Sequence, residues 1–167
     1  RYVYTFGNEM PDYPKLGVWP DGYYLSVNLF TGAQYWSGVG AAALERSKML
    51  QGDPNARIIY FALSTSYNVF GMLPSDWDGS ATPLANEPNY FTYFDDWSSA
   101  TNDYLKIYEF HADWVNTANS TLNLASTIVT APFKSTICSA SRDQCIPQPG
   151  TSIQLESLAD RLMYRLQ

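Results

Sequence analysis

Residues 12–30 read DYPKLGVWPDGYYLSVNLF, two extended runs hinged on Pro20, Asp21 and Gly22. Proline presets φ at the second position of a tight turn, aspartate tolerates the third and glycine follows, so the corner predicts a type I hairpin turn. Beyond it Tyr23, Leu25, Val27 and Leu29 alternate with Tyr24, Ser26 and Asn28. That period of two belongs to a strand with one face buried more deeply, and it assigns Leu25 and Val27 to the deeper face. Any fold for this chain must accommodate an antiparallel hairpin with Trp19, Tyr23 and Tyr24 crowded at its bend.

The same logic extends along the chain. RIIYFAL (57–63) is apolar on both faces and reads as an inner strand covered on both sides. NYFTYF (89–94), YLKIYEFHADW (104–114) and TLNLASTIVT (121–130) are β-branched and aromatic. Turn-rich segments separate them: QGDPNA, LPSDWDGSATPLANEP, DDWSSATND and CIPQPGTS. GAAALERSKML (40–50) suits a strand through Val39–Leu44 followed by one helical turn ending at Gly52. LESLADRLMYRLQ (155–167) mixes helical and strand spacing, and periodicity leaves it open. The expected class is all-β.

Hydrophobic residues make up 46% of the 167 and charged ones 16%, a composition that folds. A net charge of −6 leaves too little positive surface to neutralise phosphates, so nucleic acid is a poor partner. No apolar run approaches the roughly 20 residues of a membrane span.

The two cysteines, Cys138 and Cys145, flank the polar span SASRDQ and predict a disulfide. Two thiols and the single His111 are too few for a zinc site. The bridge implies an oxidising compartment. Asn119-Ser120-Thr121 is a glycosylation acceptor pattern at Asn119 that agrees with secretion.

DYPKLGVWPDGYY, ERSKMLQGDPNARIIYF, LPSDWDG, EFHADW, IPQPGT and DRLMYRL, taken in order, resemble successive motifs of large secreted bacterial proteins with a sialidase-like β-propeller architecture. The resemblance spans nearly the whole chain and implies antiparallel four-stranded blades. At about 40 to 50 residues per blade, residues 1–167 would form one segment of three to four blades without an internal domain boundary. Such a segment is expected to be an incomplete portion, closed by the remainder of the propeller, a processed partner chain or identical subunits. SDWDG departs from the sialidase Asp-box, with Asp76 and Asp78 on either side of the required position, and no arginine triad is recognisable.

Candidate sites are few. Trp19, Asp21, Tyr23, Tyr24 and His111 are the ligand-binding candidates, the aromatics serving either blade packing or sugar stacking. Asp76, Asp78, Ser80 and Glu87 occupy positions 1, 3, 5 and 12 of a calcium-type loop, but Ala81 stands where glycine belongs. Ca²⁺ is the one cofactor with any donor pattern. Asp95 and Asp96 should alternate to opposite faces of a solvated turn, whereas Glu109, His111 and Asp113 should share one strand face. The Asp-Trp pairs at 76, 96 and 113 are spaced too closely to be blade repeats.

These features favour a secreted, noncatalytic propeller module that binds glycan or protein or builds an extracellular assembly. The alternative is a glycoside hydrolase using acids such as Asp12, Asp21 or Glu109 across the propeller mouth.

Overall fold

The computed structural model describes residues 1–97, 101–138 and 144–167. The chain is all-β, with ten strands and one short helix among the described residues. The first sheet is an antiparallel meander in spatial order β1-β2-β3-β4: β1 (Glu9–Val18), β2 (Gly22–Thr31), β3 (Tyr35–Glu45) and β4 (Ile58–Ser64). Helix α1 (Arg46–Leu50) joins β3 to β4 and stops before Gly52, whose φ of 71° suits glycine. The second sheet repeats the plan as β5-β6-β7-β8: β5 (Leu73–Pro74), β6 (Asn89–Asp95), β7 (Asp103–His111) and β8 (Thr121–Thr130). A two-stranded pair follows, β9 (Gln144–Ile146) with β10 (Leu155–Glu156).

The hairpin corner falls where the sequence placed it. Val18 pairs with Tyr23, and the Trp19 amide donates to the Gly22 carbonyl at 3.0 Å, leaving Pro20 and Asp21 to turn the chain. β1 lies at the edge of its sheet, where Pro11 and Pro14 cost no ladder hydrogen bonds. A register shift between Asp12 and Lys15 absorbs Tyr13, whose φ is 50°.

The two sheets pack face to face through an aromatic layer. Tyr24 and Phe61 from the first sheet meet Phe110 from the second at centroid distances of 5.3 and 5.2 Å, both edge-on, and Phe91 stacks on Phe110 at 5.8 Å. Val39, Ala41, Ala43, Ile59, Leu63 and Tyr108 complete the core. Each large aromatic buried this way contributes about 2 kcal/mol or more, so this layer dominates the packing energy.

Two expectations are corrected here. Tyr24, Ser26 and Asn28 form the inner face of β2 and are buried more deeply than Leu25. Ser26 Oγ donates to the Met72 carbonyl and Asn28 Oδ1 accepts from the Gly71 amide, so the segment leading into β5 supplies partners for both, while Asn28 Nδ2 is buried without one. Val27 is buried too, on the opposite face. RIIYFAL, read as an inner strand, is the edge strand β4. Its second apolar face is covered by the N-terminal segment: Phe6 packs edge-on against Tyr60 at 5.3 Å, and Tyr4 Oη donates to the Ala56 carbonyl.

Residues 155–167 form neither a helix nor a long strand. They dock across the junction of the sheets, where Leu166 makes a parallel bridge to Ser75. Lys15 Nζ donates to the carbonyls of Gly71 and Leu162, both at 2.7 Å, and burial, aided by the Arg161 charge, lowers its pKa to about 8. Gly17 is required at this junction, since a Cβ there would strike the Ser75 carbonyl. No helix among the described residues is long and apolar enough to cross a membrane.

Candidate functional site

The β1–β2 corner does more than close a hairpin. Together with loops 82–88 and 111–115 it walls a cleft of about 780 Å³, lined by Trp19, Asp21, Tyr24, Leu84, His111 and Trp114 among others. Four of the five ligand-binding candidates, Trp19, Asp21, Tyr24 and His111, are thus brought together. Tyr23 is not: strand alternation sends it to the opposite face, where the Arg46 guanidinium lies 5.8 Å from its ring.

The walls are fixed by hydrogen bonds between elements distant in sequence. Trp19 Nε1 donates to the Glu87 carbonyl at 3.1 Å, pinning loop 82–88 to the corner. Glu87 Oε2 accepts from the Leu84 amide, and Trp77 Nε1 donates to the Ala81 carbonyl. On the other side, Arg57 donates to the Trp114 carbonyl and stacks 5.7 Å from its ring. Arg57 is itself held by Glu45 through two hydrogen bonds of 2.8 Å.

Asp21 is the cleft's distinctive group. Its carboxylate accepts from Tyr24 Oη at 3.2 and 3.0 Å. Burial pushes its pKa up, and the Tyr24 hydroxyl, the Trp114 indole N–H and the His111 charge only partly oppose that shift. The Trp114 indole N–H is directed at Asp21 and shielded from solvent, so this donor belongs to the wall of the cleft.

The other acids are arranged differently. Asp113 leaves the strand at His111 and caps the following turn, accepting from the amides of Val115 and Asn116 and from Asn119 Nδ2. The expected row of Glu109, His111 and Asp113 breaks there, because β7 ends at His111. Asp76 accepts from the Val18 amide and Tyr164 Oη, and Asp78 is bound by Arg165 and Gln167. Ser80 is exposed, and Glu87 serves its own loop. Among the described residues no three His, Cys, Asp or Glu side chains gather as a metal group. Asp95 and Asp96 do diverge, but they are not solvated. Asp95 is fully buried and pairs with Lys106 at 2.6 Å, while Asp96 accepts from the amide and hydroxyl of Ser135. The expectation failed because Asp95 still belongs to β6.

Cys138 and Cys145 are disulfide-bonded, with Cα atoms 5.6 Å apart. The span between them, residues 139–143, lies outside the described residues, as do residues 98–100 of the expected DDWSSATND turn. Asn119 is exposed at the end of a 3₁₀ turn. Trp114 is the cleft residue that the sequence reading did not single out as a ligand group; its only mark was the Asp113-Trp114 pair.

No family model matches the chain, and neither does any curated protein or solved structure.

Proposed function

We propose that the chain is a portion of a secreted β-propeller that acts as a noncatalytic binding module, with the 19–24 corner cleft as its ligand site. Two successive four-stranded antiparallel meanders packed face to face support the blade reading. Leu16 and Val18 remain exposed on the outer face of the first sheet, as expected if a further sheet covers it, whether from the remaining propeller, a partner chain or an identical subunit. The disulfide is consistent with an extracellular protein.

The observation that carries the binding reading is the state of the acids around the cleft. Asp113 and Glu87 are engaged by the backbone amides of their own loops, whereas Asp21, half-buried on the cleft wall, is bonded by the Tyr24 hydroxyl and has no salt bridge among the described residues. A hydrolase needs two carboxylates poised on the scissile bond. Of the acids first considered for that role, Asp12 is exposed on β1 and neither it nor Glu109 lines the cleft.

Retention on glycan and peptide arrays, read together with release of 4-nitrophenol from 4-nitrophenyl glycosides, tests this function. Retention abolished by Leu84→Arg, without release, is the expected result. Release that depends on Asp21 would replace binding with hydrolysis, and retention indifferent to Leu84→Arg would move the site elsewhere.

A further inference from the structure

We infer that two copies of the chain associate through strand β8, edge to edge and antiparallel, about a two-fold axis at Ile128. The inference goes beyond the binding module proposed above and uses a surface that the cleft does not share.

The outer edges of the two four-stranded sheets are finished unequally. β1 carries Pro11, Pro14, Lys15 and a register shift, all devices that discourage pairing. Against β4 lies the N-terminal segment, with Phe6 on Tyr60. β5 is two residues long and is followed at Ser75 by the bridge to Leu166. β8 has no such finish. It runs ten residues, TLNLASTIVT, without Pro, Gly or any charged side chain, and β7 is its one strand partner among the described residues. In an antiparallel edge strand alternate residues turn their N–H and C=O outward, so β8 offers a row of backbone donors and acceptors to a further strand.

Apolar exposure on both faces tells what covers this edge. Leu124 and Val129 stand opposite Tyr108 and Tyr104 on the inner face, and Ile128 stands opposite Leu105 on the outer face. They are 50%, 61% and 46% exposed. An element laid on one face would leave the other face and the backbone row open, whereas a strand added in the plane of the sheet meets all three. A second β8 fits that description. The register shift between Ile107 and Tyr108 sets Ala125 aside and leaves Ser126 to Thr130 as the regular run, whose midpoint is Ile128. Antiparallel pairing about that midpoint puts Ile128 on Ile128, Thr127 on Val129 and Ser126 on Thr130. Each pair joins β-branched or small side chains, which suit cross-strand contact. No charge lies opposite a charge, so the net −6 of each copy does not meet itself across the seam. One such contact uses both free edges, so association closes at the dimer.

Sedimentation velocity of the 167-residue chain over a concentration series tests the inference. A monomer–dimer equilibrium with nothing larger is the expected result. Ile128→Lys and Ile128→Glu each bring like charges together at the axis and should raise the dimer dissociation constant about tenfold or more. An equimolar mixture of the two variants should recover the dimer, because only side chains that meet at the axis can exchange repulsion for an ion pair. Leu84→Arg, in the cleft, should leave the equilibrium unchanged, which separates this interface from the ligand site. Thermal melting checks that each variant keeps its fold. Val129→Lys, on the other face of the same run, should also weaken the dimer and decides the question if the variants at 128 fold poorly. The inference is overturned by a chain that stays monomeric throughout, by a dimer indifferent to the β8 variants, by a mixture that does not recover it, or by growth beyond the dimer.

Discussion

Two carboxylates lie at the same end of the first sheet, Asp21 just before Gly22 and Glu45 paired with Gly22, and the protein treats them in opposite ways. Glu45 closes β3 opposite Gly22, is buried, and receives two hydrogen bonds from Arg57 plus one from the Arg57 amide. Those bonds pull its pKa down to about 2. Asp21, on the hairpin corner, has a tyrosine hydroxyl and no salt bridge among the described residues, and burial pushes its pKa up. Arg57 spans the pair: it neutralises Glu45 and stacks on the indole whose N–H faces Asp21. The contrast separates an acid neutralised by a cation of its own chain from one held on a cleft wall by a hydroxyl and disfavoured by burial.

Removing the cation gives the largest effect. Arg57→Met leaves buried Glu45 with Lys48, at 3.7 Å, as its remaining cation and should cost about 2–3 kcal/mol, at or below the low end for a broken buried pair because Lys48 stays and Arg57 is itself 38% exposed. Denaturant unfolding measures the loss. A change under about 0.5 kcal/mol, typical of a surface site, would show that Glu45 does not depend on Arg57.

A covalent constraint remote from both acids sets the next scale. Replacing Cys138 and Cys145 with serine opens a short loop and should cost about 2 kcal/mol in the chain-closure account. The titrations of Asp21 and Glu45 should not move. If either does, general loosening rather than local partners sets their ionisation.

The hydroxyl on Asp21 comes third. Tyr24→Phe keeps the ring against Phe110 and removes the donor, at about 1 kcal/mol, while raising the Asp21 pKa further.

Asp21→Asn is the smallest, within about 0.5 kcal/mol at neutral pH, since it removes a carboxylate that burial disfavours. The pH dependence carries opposite signs. Glu45 adds stability that is present above its ordinary value of 4.5 and is lost as pH falls toward 2. Asp21, shifted upward, contributes stability that is present below its ordinary 3.8 and is lost as pH rises through its folded value. Asp21→Asn should therefore leave acid unfolding through the Glu45 window intact, whereas Arg57→Met should flatten it. Unfolding curves collected across that range check both.

Local chemistry explains what could be read in the chain beforehand. Pro20, Asp21 and Gly22 define their own corner, and alternation through β2, β6, β7 and β8 reports strands because each residue's face follows from its neighbours. His111 fell within reach of the corner because β7 ends there. What escaped prediction depends on contacts between distant residues. Trp114 becomes a cleft group only when Arg57, 57 positions earlier, holds its carbonyl. The tail becomes ordered without helix or strand periodicity because Lys15, 147 positions earlier, captures the Leu162 carbonyl. The partners of Asp76 and Asp78, Tyr164, Arg165 and Gln167, come from the far end of the chain, where spacing within the 76–87 loop cannot show them.

The most direct test is a carbon-13 carboxyl NMR titration of Asp21 and Glu45 in one sample. Asp21 should titrate above its ordinary value of 3.8 and Glu45 near 2. An Asp21 that titrates at or below 3.8, or a Glu45 that titrates at its ordinary 4.5, would contradict the account.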